Sequence, residues 1–497
     1  MDTVAAAVRE RAVPERMIFG QPRGLATLFL TEMWERFTFY GMRGILVLFM
    51  VDAAAHGGLG LDDRTATTVY GLYLSGTYLL SLAGGWIADR LIGAQRAVIS
   101  GGVMIMIGNA MLASASTQVF FLGLVVVVCG VGMLKPNVSA MVAQLYPEGG
   151  TRRDAGFSIF YMGINIGSFV GAVAVPFFAA WLGWHWGFAL PALGMLLGLA
   201  QFVATRRYLG SAGIARAPDA PRGSWTPIFL LAAVIAAAAV LAITGRLQID
   251  PIKVSSIASW LMVALALAYF LYLIFFAGLD RVERGRVYVL VALAAGGVMF
   301  WAGFEQVGAS LNLFADRYTD RHILGWEMPA GVLQAVYPAL VIAFAPVFAA
   351  LWLRLGRRRR ELSPPTKFAA GLLLMGLGFL VMSFAARRVL GGATVLPTWL
   401  ISTALLLTFG ELCLSPVGLS WMTKLVPTRF AGQVMGVWFL SLALGNNLAG
   451  QLSSEYDSSH LETLPGLFLK IFWWGVIAGV VMLICTPRLK KLMAGVQ

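Results

Sequence analysis

The chain has 497 residues, only 12% of them charged, and a mean hydropathy of +0.79, whereas soluble domains carry about a quarter charged residues. So apolar a chain cannot hide its side chains in one water-soluble core, which excludes a soluble fold and makes lipid the solvent for most of it. The formal net charge is +13, but the basic residues fall between apolar runs, which points to orientation signals and argues against nucleic acid as a partner.

In chain order, residues 1–23 mix acidic and basic side chains and lack an apolar h-region, so they are expected to be a cytoplasmic segment and not a cleaved signal peptide. Apolar stretches of about 20 residues, the length of a spanning helix, then begin near Leu25, Thr67, Arg96, Gln118, Phe157, Gly187, Trp225, Ile257, Val287, Gly331, Lys367, Leu396, Gly432 and Pro465. Backbone groups in lipid must be satisfied internally, so these are expected to be fourteen transmembrane helices of an all-α membrane protein. Of the 37 Lys and Arg residues, 26 fall in loops on the side of the N-terminus and 7 in loops on the other side. That bias places both termini in the cytoplasm and would invert downstream of any missed helix.

The spans divide into an N-terminal six-helix bundle over 24–207, a cytoplasmic linker over 208–224, an inserted two-helix hairpin over 225–280, a C-terminal six-helix bundle over 281–490 and a cytoplasmic tail over 491–497. The hairpin is nearly free of polar residues and is expected to have no transport role. Two six-helix bundles about a central site are a common transporter plan.

Seven charges lie inside the apolar helices: Glu32, Glu35, Arg36, Arg43, Lys135, Glu305 and Glu411. Each costs about 2.5 kcal/mol or more in lipid, so each is expected to face a bundle interior or a wet cavity. Structural ion pairing between helices is the plainer alternative. With Glu32 at zero and about 100° per residue, Glu35 falls at about −60°, Arg36 at about 40°, Tyr40 at about 80° and Arg43 at about 20° on the first helix. They form one polar face, while Phe37 and Leu30 are expected to meet lipid. Four carboxylates against three cations leave the set one negative charge in excess. One proton would neutralise it, and a zwitterionic substrate could compete with the internal pairs and so couple its binding to proton movement.

Cys129, Cys413 and Cys485 lie in apolar runs without CxxC spacing and read as packing residues. His56, His185, His322 and His460 lie in or near loops, with no zinc pattern. Gly130 and Gly132 lack both a preceding strand and a GK[ST] sequence, so a nucleotide loop is rejected. No metal, phosphate-loop or Ser-His-Asp set supports a membrane enzyme.

Several motifs, in order, resemble the proton-coupled oligopeptide transporter family of the major facilitator superfamily. Glu32-Met-Trp-Glu35-Arg36-Phe37-Thr-Phe39-Tyr40 looks like the family's ExxERFxYY, and Gly85 to Arg96 looks like the superfamily's loop signature, with Asp89 and Arg90 as a latch. Gly130 to Ser139, Phe160 to Ser168, Phe300-Trp301 with Glu305-Gln306, Gly410 to Pro416 and Trp438-Phe439 continue the match over nearly the whole chain.

The resemblance implies a major facilitator fold and a symporter importing di- and tripeptides with protons, without cofactor or metal, working as a monomer in a bacterial inner membrane. By this resemblance Arg43 and Lys135 meet the peptide carboxylate, and Asn165 and Glu411 its amino end. Glu32, Glu35, Arg36 and Lys135 form a switching network, and Glu305 is the proton site. Tyr40, Tyr78, Trp301 and Trp438 line side-chain pockets. Asn165 also fits a plain hydrogen bond between helices, and both tryptophans fit packing. Phe39 stands where the motif has Tyr, removing one hydroxyl expected in the cavity, and Tyr337 stands where many relatives carry Asn. A drug exporter or nitrate carrier of the same superfamily would need a cavity of different charge.

Overall fold

The computed structural model describes residues 17–18, 20–146, 150–214, 225–243, 246, 248–323, 325–358, 362–427 and 430–493. The expectations for residues 1–16, for the linker beyond residue 214 and for the tail beyond residue 493 lie outside the described residues. Each expected span corresponds to one long helix. The first six are α1 Arg23–Val51, α2 Asp63–Ile87, α3 Ala94–Leu112, α4 Thr117–Gln144, α5 Gly150–Leu182 and α6 Trp184–Thr205. The hairpin is α7 Thr226–Ile243 and α8 Pro251–Phe275. Then come α9 Arg281–Phe304, the short α10 Ser310–Tyr318, α11 Val336–Arg357, α12 Pro364–Val389, α13 Thr398–Lys424, α14 Ala431–Ser453 and α15 Leu464–Leu492.

Nine of the described helices are long and apolar enough to cross a membrane by length and composition alone. The first helix is not among them, because Glu32, Glu35, Arg36 and Arg43 interrupt its apolar run. In the first bundle α1 packs along α5 and α6, and α4 along α2 and α3; in the second, α9 packs on α14 and α15, and α12 on α13 and α15. Because α5 and α6 flank it, α1 is buried on nearly every side. Phe37 is therefore not lipid-facing as expected: it is 7% exposed and packs edge-on against Trp34.

The bundles meet chiefly where α2 crosses α14. Gly71 and Gly450 sit backbone to backbone there, and a Cβ on Gly450 would stand 2.7 Å from the Gly71 Cα. Small residues allow this close approach in membranes, where van der Waals contact replaces the hydrophobic drive between helices.

Two segments read as connections are docked. Gln95 Nε2 donates to the Ala212 carbonyl at 2.7 Å and the Gly213 amide to Gln144 Oε1 at 2.8 Å, so the first part of the linker lies against α3 and α4. In the hairpin, α8 packs on α14 and on α2, which belong to different bundles. Asn447 Nδ2 donates to the Ser255 carbonyl at 2.7 Å and to Ser259 Oγ at 2.8 Å. Gln451 Nε2 donates to the Ser255 and Ser259 hydroxyls at 3.0 and 3.1 Å.

The glycine crossing gives a direct test. Alanine normally stabilises a helix over glycine by roughly 0.5–1 kcal/mol, whereas overpacking costs about 1–3 kcal/mol. Thermal unfolding in detergent is expected to show a lower midpoint for Gly450→Ala. Gly432→Ala, whose Cβ would meet nothing within 4 Å, is expected to keep or raise it. Equal effects would remove the crossing as a tight contact.

Candidate functional site

Between the bundles lies a cavity with about 1330 Å³ of empty space. Its walls include Glu32, Arg36, Tyr40, Arg43, Tyr78, Lys135, Asn165, Trp301, Glu305, Glu411 and Trp438. Of the residues expected to bind peptide or couple protons, only Glu35 is absent from this lining. It faces Phe39, Tyr73 and Val127 in a small pocket between α1, α2 and α4. The polar face of α1 is therefore split. The side bearing Arg36, Tyr40 and Arg43 looks into the cavity, and the side bearing Glu35 and Phe39 looks into the first bundle. Phe39 accordingly removes no hydroxyl from the cavity, contrary to expectation; its ring stacks on Tyr73 at 6.3 Å.

Arg36 pairs with both α1 glutamates, its Nε lying 3.1 Å from Glu32 Oε1 and also contacting Glu35. Arg43 Nη2 lies 2.9 Å from Glu305 Oε2, which joins the two bundles. Lys135 is in neither pair: its Nζ stands 4.0 Å from the centre of the Tyr78 ring, a cation–π contact. The Arg43 guanidinium lies 5.6 Å from the Tyr40 ring. The cavity thus presents one cation outside the ion pairs, Lys135 on α4, and one carboxylate outside them, Glu411 on α13.

The backbone sets these groups. Pro136 cannot donate to the Gly132 carbonyl one turn back, and Gly84 of α2 packs against that carbonyl. Asn137 Nδ2 then bonds the Gly84 carbonyl at 3.3 Å and the Met133 carbonyl at 2.7 Å. Lys135 is fixed by this joint between α2 and α4. Glu305 sits where α9 ends, in the tight turn Glu305–Gly308 that precedes α10. The sequence reading took that region as one uninterrupted span. Gln306 closes the break: Nε2 donates to the carbonyls of Ala302 and Ala449 at 3.1 and 3.0 Å. Its Oε1 accepts from Ser310 and Ser453, both at 2.6 Å.

Asn165 bonds the Tyr161 carbonyl of its own helix at 2.9 Å and so does not serve as glue to another helix. The indole N–H of Trp301 is buried without a partner. Trp438 is 2% exposed and packs edge-on against Phe368. Tyr337 packs edge-on against Phe304 at 5.8 Å. Sequence reasoning missed Tyr161, Ser139, Ser415 and Gln334 as lining residues; Tyr161 was legible, four residues before Asn165 on the same face. Among the described residues, no group of three or more His, Cys, Asp or Glu could hold a metal ion.

Among the described residues, the polar contacts between the bundles lie at or beyond the depth of Arg43, toward the face opposite the one bearing Arg23. Asn312 Nδ2 donates to the Gly44 carbonyl at 3.1 Å. Arg317 grips Asp63 with two bonds of 2.7 Å, and Ser458 adds a third at 3.0 Å. Trp326 stacks on Phe177 at 5.2 Å. Tyr161, on the cavity wall, is 44% exposed. This state is closed at the far face by those contacts.

A model of the POT family matches residues 95–467. The chain is 40% identical to the peptide transporter YePEPT of Yersinia enterocolitica subsp. palearctica, over 97% of each chain. It is 32% identical to the di-/tripeptide transporter of Lactococcus lactis subsp. lactis, over 97% of this chain and 99% of that one. The crystal structure of the peptide transporter POT in complex with sulfate superposes with a TM-score of 0.90, at 39% identity and 99% coverage of both chains. That of a POT family transporter in complex with 5-aminolevulinic acid gives 0.88, at 32% identity over 96% of this chain and 99% of that one.

The Arg317–Asp63 grip should hold the far face shut. In a background lacking Cys129, Cys413 and Cys485, a cysteine replacing buried Tyr70 is expected to react faster with a membrane-impermeant maleimide from the far face when Asp63→Asn or Arg317→Met is added. The double variant should gain no more than either single one. Additive gains would mean that the two side chains act separately.

Proposed function

We propose that this chain, which belongs to the POT family, imports di- and tripeptides together with protons by exposing one central site alternately to the two faces of a bacterial inner membrane. The observation that carries this reading is the Arg43–Glu305 pair between the bundles, set in a cavity that leaves Lys135 and Glu411 outside any ion pair. Its termini lie in the cytoplasm, by the bias of basic residues toward the loops on that side, which makes the closed far face the outer one.

A short peptide is a zwitterion. Its carboxylate meets Lys135 and Arg43, and its ammonium meets Glu411 and Asn165, while Tyr40, Tyr78, Trp301 and Trp438 bound the side-chain spaces. Arg43 serves either Glu305 or the peptide carboxylate. A proton on Glu305 removes its charge and releases Arg43 for the peptide. Peptide and proton therefore favour each other's binding, and linkage requires the effect to be mutual. When both leave toward the cytoplasm, the Arg43–Glu305 pair re-forms and holds the far side closed. Glu32 and Glu35 share Arg36 and offer Lys135 an alternative partner once the peptide has gone. Arg36 and Arg43 keep counter-charges in the described state while Lys135 rests on the Tyr78 ring, and breaking such a buried pair without replacement would cost about 3–5 kcal/mol. The segments 24–207 and 281–490 rock as the two bodies, and no cofactor is needed beyond the proton.

Purified protein in liposomes is expected to accumulate labelled dialanine under an inward proton gradient and to lose that accumulation with an uncoupler. Glu305→Gln should abolish gradient-driven accumulation yet retain exchange of dialanine across the membrane; accumulation unchanged in that variant would sink the coupling scheme. Lys135→Met and Glu411→Gln are each expected to weaken dialanine binding about tenfold or more, the effect of losing a charged hydrogen bond. Binding that survives both substitutions would move the peptide termini elsewhere in the cavity.

A further inference from the structure

The hairpin carries none of the seven membrane charges, and on sequence it has no transport role. Its second helix nevertheless lies across the seam between the bundles and behind the wall of the cavity. Met262 of α8 is 3% exposed and forms a buried cluster with Leu440, Ala443 and Leu444 of α14. Tyr78 of α2 packs against that cluster from the other bundle. Ser75, one turn before Tyr78, donates its hydroxyl to the Met262 sulfur at 3.8 Å. The front of Tyr78 lines the cavity, and its ring holds the Lys135 ammonium at 4.0 Å. The same side chain thus faces substrate space on one side and the hairpin's cluster on the other.

The position of Met262 along the seam is itself set. Ser255 and Ser259, four residues apart and so on one face of α8, bond to Asn447 and Gln451, which are spaced the same way on α14. Asp250 caps the helix through the amides of Ile252 and Lys253. Nothing in anchoring a hairpin in lipid calls for a four-residue polar lock with Ser255 and Asn447 fully buried, since polar groups at membrane depth are costly. It does fix the register of α8, and with it the place of Met262.

We propose that Met262 is a positioning residue for peptide recognition: through its cluster and Ser75 it backs the Tyr78 ring, and through that ring it sets where Lys135 meets the peptide carboxylate. An unbranched thioether suits this place, because it fills an irregular gap and follows small shifts of its neighbours as the bundles move. The inserted hairpin thereby becomes part of the recognition machinery, a role that rests on the peptide reading given above.

A thermodynamic cycle on the purified full-length protein tests it, with dialanine as the probe. Wild type must bind dialanine; if it does not, the peptide reading fails and not the inference about Met262. Given that binding, Met262→Ala is expected to raise the dissociation constant about fivefold, within the range of coupling between neighbouring side chains. Met262→Leu, which keeps the volume, should restore it to within about twofold. In a Tyr78→Ala background, Met262→Ala should add no further loss. Ser75→Ala, run through the same cycle, provides the milder arm if Met262→Ala fails to fold. The inference is overturned if dialanine binding is indifferent to the Met262 and Ser75 variants, or if their losses are as large without Tyr78 as with it.

Discussion

A guanidinium and a carboxylate placed at the centre of a membrane protein can rest only against each other, against another charge, or against a proton. Arg43 and Glu305 obey that constraint across the boundary between two rigid bodies, and the rest of the molecule is arranged around it. In the proposed cycle, pairing them draws the bundles together, and neutralising or competing for either partner lets them part. The pair therefore turns an electrostatic rule about buried charge into a rule about the relative position of two six-helix bundles. Lys135 and Glu411, held at the cavity wall without ion-pair partners, are the complementary half of the same arrangement. In the proposed cycle they are the charges that a zwitterion satisfies.

The backbone places these groups by departing from ideal helix where it is protected. Pro136 and Asn137 make a joint between α4 and α2 beside Lys135. The end of α9 frees Glu305 from a regular turn, and Gln306 takes up the loose backbone carbonyls and hydroxyls around it. Irregular backbone at membrane depth is tolerated only where protein or a cavity surrounds it, and both irregularities border the cavity.

Lipid made much of this architecture legible in the sequence. A spanning helix must be long and apolar, so fourteen runs announced fourteen helices, and the charges that broke those runs pointed to the cavity. Burial within the bundle was harder to read. Phe37 looks like a lipid-facing residue on a helical wheel, yet α1 is central and α6 covers it. Phe39 shares the polar face of α1 by angle, yet a helix face about 140° wide can look into two compartments at once, and Phe39 belongs to the one with Tyr73. The break after Phe304 was hard to read because Glu305 and Gln306 read as polar residues within a span and apolar residues resume by Leu311. The hairpin's lock was written as Ser255 and Ser259 against Asn447 and Gln451, but matching spacings on two distant helices carry no signal until the fold puts them together.

The crossing of Gly71 on Gly450 has a mechanical consequence. Backbone against backbone leaves no side chains to interdigitate, so a small change of tilt there disturbs little packing. From Gly71 to the end of α2 at Ile87 is about 24 Å of helix at 1.5 Å per residue. A tilt of about 10° at such a fulcrum moves the far end of that arm by about 4 Å, roughly the width of a peptide backbone, for almost no displacement at the crossing itself. Two glycines where side chains would otherwise meet are thus, in the proposed cycle, the bearing on which a long lever turns.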